Sequence, residues 1–427
     1  MDARGYTVFT RFMLLFVMIS LVGCSAKVDT GNIAAAAVPR EKPQSADPSL
    51  LDEQVAGNND FAFDLYRSLR LQEGNLFYSP YSISLALAMV YAGARGETEK
   101  QMSTTLHFAL PQDQLHPVFN ALDGSLNTSG SDKTSFQLNV ANSLWGQDHF
   151  PFLPDFLNLI ARNYGAGVRL VDFTSNTRRE AARRTINDWV SGQTNGKIKE
   201  LLPQGMLDDL TRLVLVNAIY FKGEWQDPFE NGTSDAPFTL PDGTQVNVPT
   251  MSRRADAPYF QGDGYQAVGL PYKGERVEMI VVMPDPGKFS EFEQALNREA
   301  FDRILAGLKD SDMKLFMPKF NFEYSADMKD SLAGMGMPAA FDPAQADFSG
   351  IYDPTNEPNL FISHIAHKAF VAVDEKGTEA AAATGVVMEM ASLPVTLHID
   401  HPFIFVIRDR QTGSILFIGR VLDPRTP

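Results

Sequence analysis

The sequence predicts an α+β fold in which strands and helices share one large core, and three observations carry that expectation. Apolar, strand-like runs come in groups: Leu213-Val-Leu-Val-Asn-Ala-Ile-Tyr-Phe221, Val277-Glu-Met-Ile-Val-Val-Met283, and Phe403-Ile-Phe-Val-Ile407 next to Ile415-Leu-Phe-Ile418. They do not alternate one for one with helical patterns, which favours a mixed architecture over a doubly wound parallel sheet. Beyond Asn58 there is no second break in composition, no low-complexity block and no repeat, so residues 58–427 are expected to form one domain. With 427 residues, 44% of them hydrophobic and 21% charged, the chain can bury a substantial core without a disulfide or a metal to hold it.

The single cysteine permits no internal disulfide, and its position carries the information instead. Arg4 and Arg11 precede the apolar run Phe12-Met-Leu-Leu-Phe-Val-Met-Ile-Ser-Leu-Val22, which is too short to span a bilayer but has the length of a signal-peptide core. The run closes on Leu21-Val22-Gly23-Cys24, which resembles the lipobox of bacterial lipoproteins, where small residues admit the peptidase and the thiol carries a diacylglycerol. Residues 1–23 are therefore expected to be a signal peptide, and Cys24 the lipid-bearing first residue of the mature chain. Ser25 follows it in place of Asp, which by the lipoprotein sorting pattern implies the outer membrane, at its periplasmic face or the cell surface. Residues 24–57 contain Ala, Pro and Asp without apolar periodicity and read as a flexible tether.

Within the body, Ser79-Pro80 ahead of Ile83, Leu85, Leu87, Ala88, Val90 and Tyr91 predicts a buried helix with a Ser N-cap and Pro at its first position. The run from Glu180 to Val190 predicts an amphipathic helix with Ile186, Trp189 and Val190 inward. Its arginines, Arg178, Arg179, Arg183 and Arg184, are interleaved with Glu180 and Asp188, as on a solvated face rather than a polyanion site. The formal charge of -15 argues the same way, and nucleic acid is excluded as a partner.

Enzyme signatures are missing. The sequence holds no Gly-x-Ser-x-Gly elbow, no phosphate loop, no Gly-x-Gly-x-x-Gly and no His-Glu-x-x-His. His364-x-x-His367 and His398-x-x-His401 flank strand-like runs, where residues three apart point to opposite faces, so neither pair reads as a metal site. Catalysis has no visible carrier, and no cofactor or metal is expected.

The unusual stretch is Asp374-Glu-Lys-Gly-Thr-Glu-Ala-Ala-Ala-Ala-Thr-Gly-Val-Val-Met-Glu-Met-Ala-Ser-Leu-Pro394. As a helix it would start at Gly377, run through Ala380 to Ala383 and stop at Gly385. At period two, Thr378, Ala380, Ala382, Thr384, Val386, Met388 and Met390 form one uncharged face, while Glu379 and Glu389 stand on the other. Turn residues bracket the segment and Ser-Leu-Pro ends it, as in an exposed loop. The same residues thus suit both a loop and a half-buried strand, and the small side chains at its start ease sliding between neighbouring strands.

At these residues the chain resembles a serpin, and by its hinge an inhibitory one. The resemblance extends through Asn75-Leu-Phe-Tyr-Ser-Pro-Tyr-Ser-Ile-Ser84 with Ala92-Gly-Ala-Arg-Gly96, Ile186-Asn-Asp-Trp189 with Thr194-Asn-Gly-Lys-Ile198, Leu215-Val-Asn-Ala-Ile-Tyr-Phe-Lys-Gly-Glu-Trp225, Leu270-Pro-Tyr272 with Val282-Met-Pro-Asp285, Met317-Pro-Lys-Phe320, Asp347-Phe-Ser-Gly350 and His401-Pro-Phe-Ile-Phe405, in serpin order from about Asn58 to Pro424. It implies helices around three β-sheets and an exposed reactive-centre loop that a protease cleaves and that then inserts into the central sheet. The lipidated tether departs from the pattern. So does the lack of a basic patch around Gln114 to Leu126, which leaves polyanion activation without a basis.

By position, the resemblance implies a shutter beneath the central sheet formed by Ser79, Ser82, Asn217 and His367. It implies a breach at the top of the sheet marked by Trp225, with Lys319 and Glu375 as an ion pair clamping that end. The hinge would comprise Glu375, Gly377, Thr378, Glu379, Ala380, Ala381, Ala382 and Ala383. Counting from Glu375 by the usual serpin spacing puts the reactive bond at Ala391–Ser392, with Met390 one register away. No Lys or Arg lies between Gly377 and Pro394, so elastase-like proteases are the first expected targets and chymotrypsin-like ones the second. Cysteine proteases form a further class of implied partner, and the chain is expected to act as a monomer. The competing reading is a non-inhibitory serpin-fold binding protein, whose hinge would carry bulky, charged or Pro residues.

Overall fold

The computed structural model of the chain describes residues 32–36, 38–43, 46–128, 136–355, 359–378 and 394–426. Two hydrogen-bonded strand networks run through them. The first has the order β1 (Asn32–Ala34), β4 (Val168–Val171), β3 (Phe136–Gln147), β5 (Leu213–Glu224), β13 (Gly377–Thr378), β12 (His364–Asp374), β11 (Phe320–Asp327). The second has the order β14 (Val395–His398), β10 (Lys309–Pro318), β7 (Gln245–Gln261), β8 (Tyr265–Pro271), β9 (Val277–Pro284), β15 (Phe403–Asp409), β16 (Ile415–Val421), β2 (Leu76–Tyr78), with β6 (Thr233–Thr239) paired to β7. The long strand β7 belongs to two sheets at once. Its first part pairs with β6 and β10, and its last residues, from Tyr259, pair with β8. The three-sheet α+β architecture follows from that sharing.

The expected helices form. Helix α2 (Pro80–Tyr91) is buried at every position and capped by Ser79, whose hydroxyl accepts from the Ser82 amide. It lies beneath the first sheet because an apolar helix without a polar face has no other stable place. Helix α6 (Asn176–Gln193) covers the opposite face and encloses a second core of Trp145, Ile186, Trp189 and Val190. The remaining helices are α1 (Pro48–Leu69), α3 (Gly96–Thr105), α4 (Gln112–Thr128), α5 (Pro154–Tyr164), α7 (Phe289–Ala295), α8 (Arg298–Gly307) and α9 (Lys329–Met335).

The front of the chain departs from its sequence reading. Helix α1 starts at Pro48, well before the boundary expected at Asn58, because Asp47 caps it by accepting from the Ser49 amide and Pro48 is preset for a first turn. Gly57, which read as the end of a tether, sits inside α1 where a Cβ would come within 2.3 Å of the His107 carbonyl oxygen. Upstream, residues 32–36 and 38–43 lie along the body as a strap. Strand β1 pairs antiparallel with β4, and the Glu41 amide donates to the Arg162 carbonyl. The Arg40 guanidinium reaches Asp123 at 2.7 Å and Asn120 at 2.9 Å on α4. A sheet edge with free backbone groups and a largely buried carboxylate supply the partners that the strap's own composition does not advertise.

Candidate functional site

Strands β5 and β12 meet at the middle of the first sheet. Below, they pair directly and in parallel, from His364–Val214 up to Phe370–Tyr220. Above, they are held apart by β13, which is antiparallel to both: Gly377 and Thr378 face Glu224 and Gly223 on one side and Asp374 and Val373 on the other. The seam is therefore closed at the bottom and wedged open at the top by two residues.

The wedge exists for steric and polar reasons. Asp374 turns the chain between β12 and β13 by accepting from the Lys376 and Gly377 amides. A Cβ on Gly377 would lie 2.0 Å from the Gly223 carbonyl oxygen, so only glycine lets the two backbones approach this closely. Thr378 is 1% exposed, and its hydroxyl is 2.7 Å from that of Tyr272. The segment expected to be the hinge thus has its first residues, Gly377 and Thr378, inside the sheet and not in an exposed loop that starts after Asp374.

Around the wedge stand the residues expected at the breach. Trp225 stacks on Tyr272 with ring centroids 4.6 Å apart, and its indole N–H donates to the Asp374 carbonyl at 3.0 Å. Its amide donates to the Lys376 carbonyl, and the Phe229 amide to that of Glu375, so the turn carrying the hinge is stitched to the end of β5. The Lys319 ammonium donates to both Glu375 carboxylate oxygens, at 3.0 and 2.8 Å, and the Thr233 hydroxyl donates to the same group at 2.5 Å. Partial burial works against the charged carboxylate, but these bonds outweigh it and hold Glu375 down at about 2.

Beneath the closed part of the seam lies the polar cluster. Ser82, Asn217 and His367 are fully buried. His367 Nδ1 donates to the Asn217 carboxamide oxygen at 2.5 Å, a direction fixed because that oxygen can only accept. The Asn217 amide donates to Ser82 Oγ at 2.6 Å and to the Asn142 oxygen at 2.5 Å; Ser82 Oγ donates to Asn142 at 3.1 Å, and the Asn142 amide returns to the Ser82 carbonyl at 3.0 Å. Ser79 stands apart from this ring, as the cap of α2. His367 Nε2 is buried with no partner among the described residues, and burial lowers the imidazole to about 3, so the ring is neutral.

The sequence-predicted residues thus fall into three groups. Ser82, Asn217 and His367 meet beneath the closed part of the seam, with Ser79 at the edge of the cluster; Trp225, Lys319, Glu375, Gly377 and Thr378 meet around the wedge. Glu379, Ala380, Ala381, Ala382, Ala383, Met390, Ala391, Ser392 and Cys24 lie outside the described residues. Asn142, Tyr272, Gly223 and Thr233 were missed as site residues. Tyr272 stands in the quoted Leu270-Pro-Tyr272 block, which offered a signal, whereas Asn142 enters the ring only through its register opposite Asn217. The paired histidines behave as strand geometry requires: His364 bonds Asp327 while His367 turns inward to Asn217. Helix α4 contains neither Lys nor Arg.

A central sheet whose middle pair is parallel, and which already admits the first residues of an antiparallel strand, defines a class of protein built to take up a further strand. The model of the family described as Serpin (serine protease inhibitor) matches residues 56–424, and the chain belongs to that family. It is 41% identical to an uncharacterised serpin-like protein of Thermococcus kodakarensis, over 86% of this chain and 85% of the relative. It is 39% identical to the leukocyte elastase inhibitor of Homo sapiens, over 88% of this chain and all of the relative. The crystal structure of a thermophilic serpin, tengpin, in its native state superposes with a TM-score of 0.77 at 29% identity, covering 91% of this chain and 97% of that one.

Proposed function

We propose that the protein is an irreversible inhibitor of serine proteases, elastase-like enzymes first and chymotrypsin-like ones second, that traps the acyl-enzyme by inserting its cleaved loop into the central sheet. The observation that carries this reading is β13, antiparallel to both of its neighbours above a parallel seam. Continuing that register sets Met388 opposite Leu213 and replaces one parallel interface with two antiparallel ones, which pair slightly better per residue. The uncharged face led by Thr378 then turns inward with it, and Glu379 and Glu389 turn away.

The chemistry begins as ordinary proteolysis. The protease serine attacks the Ala391 carbonyl; an ester forms, the amide to Ser392 breaks, and the leaving amine takes the proton held by the protease histidine. In an ordinary substrate, water would release the ester. Here the freed loop slides into the seam, carrying the protease along and distorting its oxyanion hole and triad, so that deacylation stalls. The driving energy is folding energy withheld in the native state. A non-inhibitory scaffold is the second reading, and the small hinge residues Gly377, Thr378 and Ala380 to Ala383 argue against it.

Mixing with an elastase-like protease tests the proposal: a covalent complex that survives denaturing electrophoresis supports it, and cleavage alone overturns it. The lipobox-like Leu21-Val22-Gly23-Cys24 supports a second element of the proposal, anchoring through an acylated Cys24 at the outer membrane. The mass of the mature N-terminal peptide tests that separately.

A further inference from the structure

The strap has a direction. Asn32, Leu170, Gly146 and Leu213 stand in one row across the first sheet, whereas Thr378 stands level with Gly223. The ten residue steps from Leu213 to Gly223 put these two levels roughly 33 Å apart along β5. Strand β4 is parallel to β3, whose start lies at the hinge end, and β1 is antiparallel to β4. Reading back from Ala34 to Asn32 therefore moves away from the hinge, and Asn32, the first described residue, stands at the opposite pole.

The strap is held at several points. Besides the Arg40 and Glu41 contacts, the Asn120 amide donates to the Glu41 carbonyl at 3.2 Å. The Pro43 ring covers Gly124, where a Cβ would come within 2.2 Å of it. Eight residue steps separate Cys24 from Asn32, and even fully extended they span at most roughly 29 Å. That is less than the distance from Asn32 to the hinge level. A lipid on Cys24 cannot lie beside the hinge pole while the strap is docked. Two of the exposed large apolar side chains, Ile33 and Leu210, stand at the Asn32 pole, in the strap and just before β5.

We infer that the strap sets the polarity of the membrane-bound inhibitor: the pole of Asn32, Leu170 and Leu213 faces the bilayer, and the reactive loop faces the aqueous side. The inference rests on the acylation of Cys24 proposed above. It gives residues 32–43 a function distinct from that of a slack tether, because a tether free to Pro48 would let the loop point anywhere.

The test uses the full-length acylated protein on phosphatidylethanolamine–phosphatidylglycerol vesicles whose headgroups carry a quencher. Acylation consumes the native thiol, so single cysteines introduced as Leu210→Cys and Val395→Cys can each carry a fluorophore. Val395 is exposed and stands beside Met313 on β10, the strand that leads into Lys319 and so to Glu375 at the hinge end. Quenching several-fold stronger at position 210 than at 395 is the expected result, and equal or reversed quenching overturns the polarity. Inserting about 16 Gly and Ser residues between Cys24 and Asn32 should erase the contrast without releasing the protein from vesicles. A contrast that persists means the strap does not set the orientation, and the inference falls. If the N-terminal peptide carries no acyl group and the protein does not float with vesicles, the anchoring proposal fails as well; an acylated, floating protein with equal quenching overturns the polarity alone.

Discussion

Asn217 and His367 face each other across the parallel seam of the first sheet, and the 2.5 Å bond between them is a side-chain link that an entering strand has to break. Asn217 is also the member of the ring that contacts all the others, Ser82 and Asn142 as well as His367. The cluster therefore does two things. It satisfies buried polar groups in the closed sheet, and it keeps donors and acceptors at the place where a strand with its own polar groups would arrive.

Asn217→Ala should consequently loosen the closed state. The substitution leaves the His367 Nδ1–H buried without its partner, a loss of about 1–3 kcal/mol. Lower thermal stability and faster spontaneous loss of inhibitory activity on incubation are expected, the second because the seam itself is weakened. A variant that melts earlier yet keeps wild-type shelf life would show that the cluster supports the fold without gating the seam.

Histidine 367 also gives a pH dependence of defined sign. Its folded-state value, about 3, lies below the ordinary 6.5, so the unfolded chain binds a proton that the native one refuses. The stability it contributes is present above about pH 6.5 and is lost progressively as the pH falls toward 3. Between pH 7 and pH 5 the loss amounts to about 2 kcal/mol. Urea unfolding at the two pH values should show this fall for the wild type and a smaller one for His367→Gln.

Much of this site was legible in the sequence because its parts sit in local blocks with a physical signature. Ser79-Pro80 announces a capped helix, and Gly377 announces the close backbone approach at which β13 enters between β5 and β12. Other parts had no local signature. The Asn142 side chain is one polar group among several on β3, and only the pairing of β3 with β5 brings it to Asn217. The strap depends on an ion pair between Arg40 and Asp123, which no short-range pattern encodes. The start of α1 does carry a local cap, Asp47-Pro48-Ser49, but composition and apolar periodicity, on which residues 24–57 read as a tether, do not register a cap. Burial of Thr378 was hidden because its partner, the Tyr272 hydroxyl, comes from a residue 106 positions away, just beyond the end of β8.

The ion pair at the breach should titrate in acid. Glu375 is held at about 2, against an ordinary value of 4.5, so the stability it contributes is present above pH 4.5 and is lost as the pH falls through 2. Both side chains are about one-third exposed, so solvent screening limits the pair to about 1 kcal/mol or less. Glu375→Gln should melt slightly below wild type at pH 7, and the gap should close by about pH 2. A gap independent of pH would assign the effect to the Thr233 hydrogen bond and not to the charge.

Thr378→Arg tests the hinge. The position is buried before cleavage, and on the proposed mechanism it is buried after insertion too, so a long cation is disfavoured in both states by an amount on the order of several kcal/mol. In the native protein only two residues need withdraw from the sheet, a small change. After cleavage the whole strand must enter past the arginine. Insertion should therefore slow below deacylation, and the variant should be cut at the same bond while trapping little protease. Trapping equal to wild type would remove Thr378 from the hinge.

The reactive bond is the sharpest test of target class. By the usual serpin spacing from Glu375, the proposed bond is Ala391–Ser392, one step beyond Met390. A small side chain fits the shallow specificity pocket of elastase-like enzymes, and methionine would fit a roomier apolar one. Neither offers a cation to an acidic pocket, so trypsin-like enzymes should be inhibited poorly. The C-terminal peptide released on complex formation should begin at Ser392, as read by mass spectrometry. Ala391→Arg should redirect inhibition toward trypsin-like proteases while the hinge and shutter residues, unchanged in sequence, keep insertion intact. A released peptide beginning at Gly385 or Leu397, or rapid trapping of trypsin by the wild type, would place the bond elsewhere.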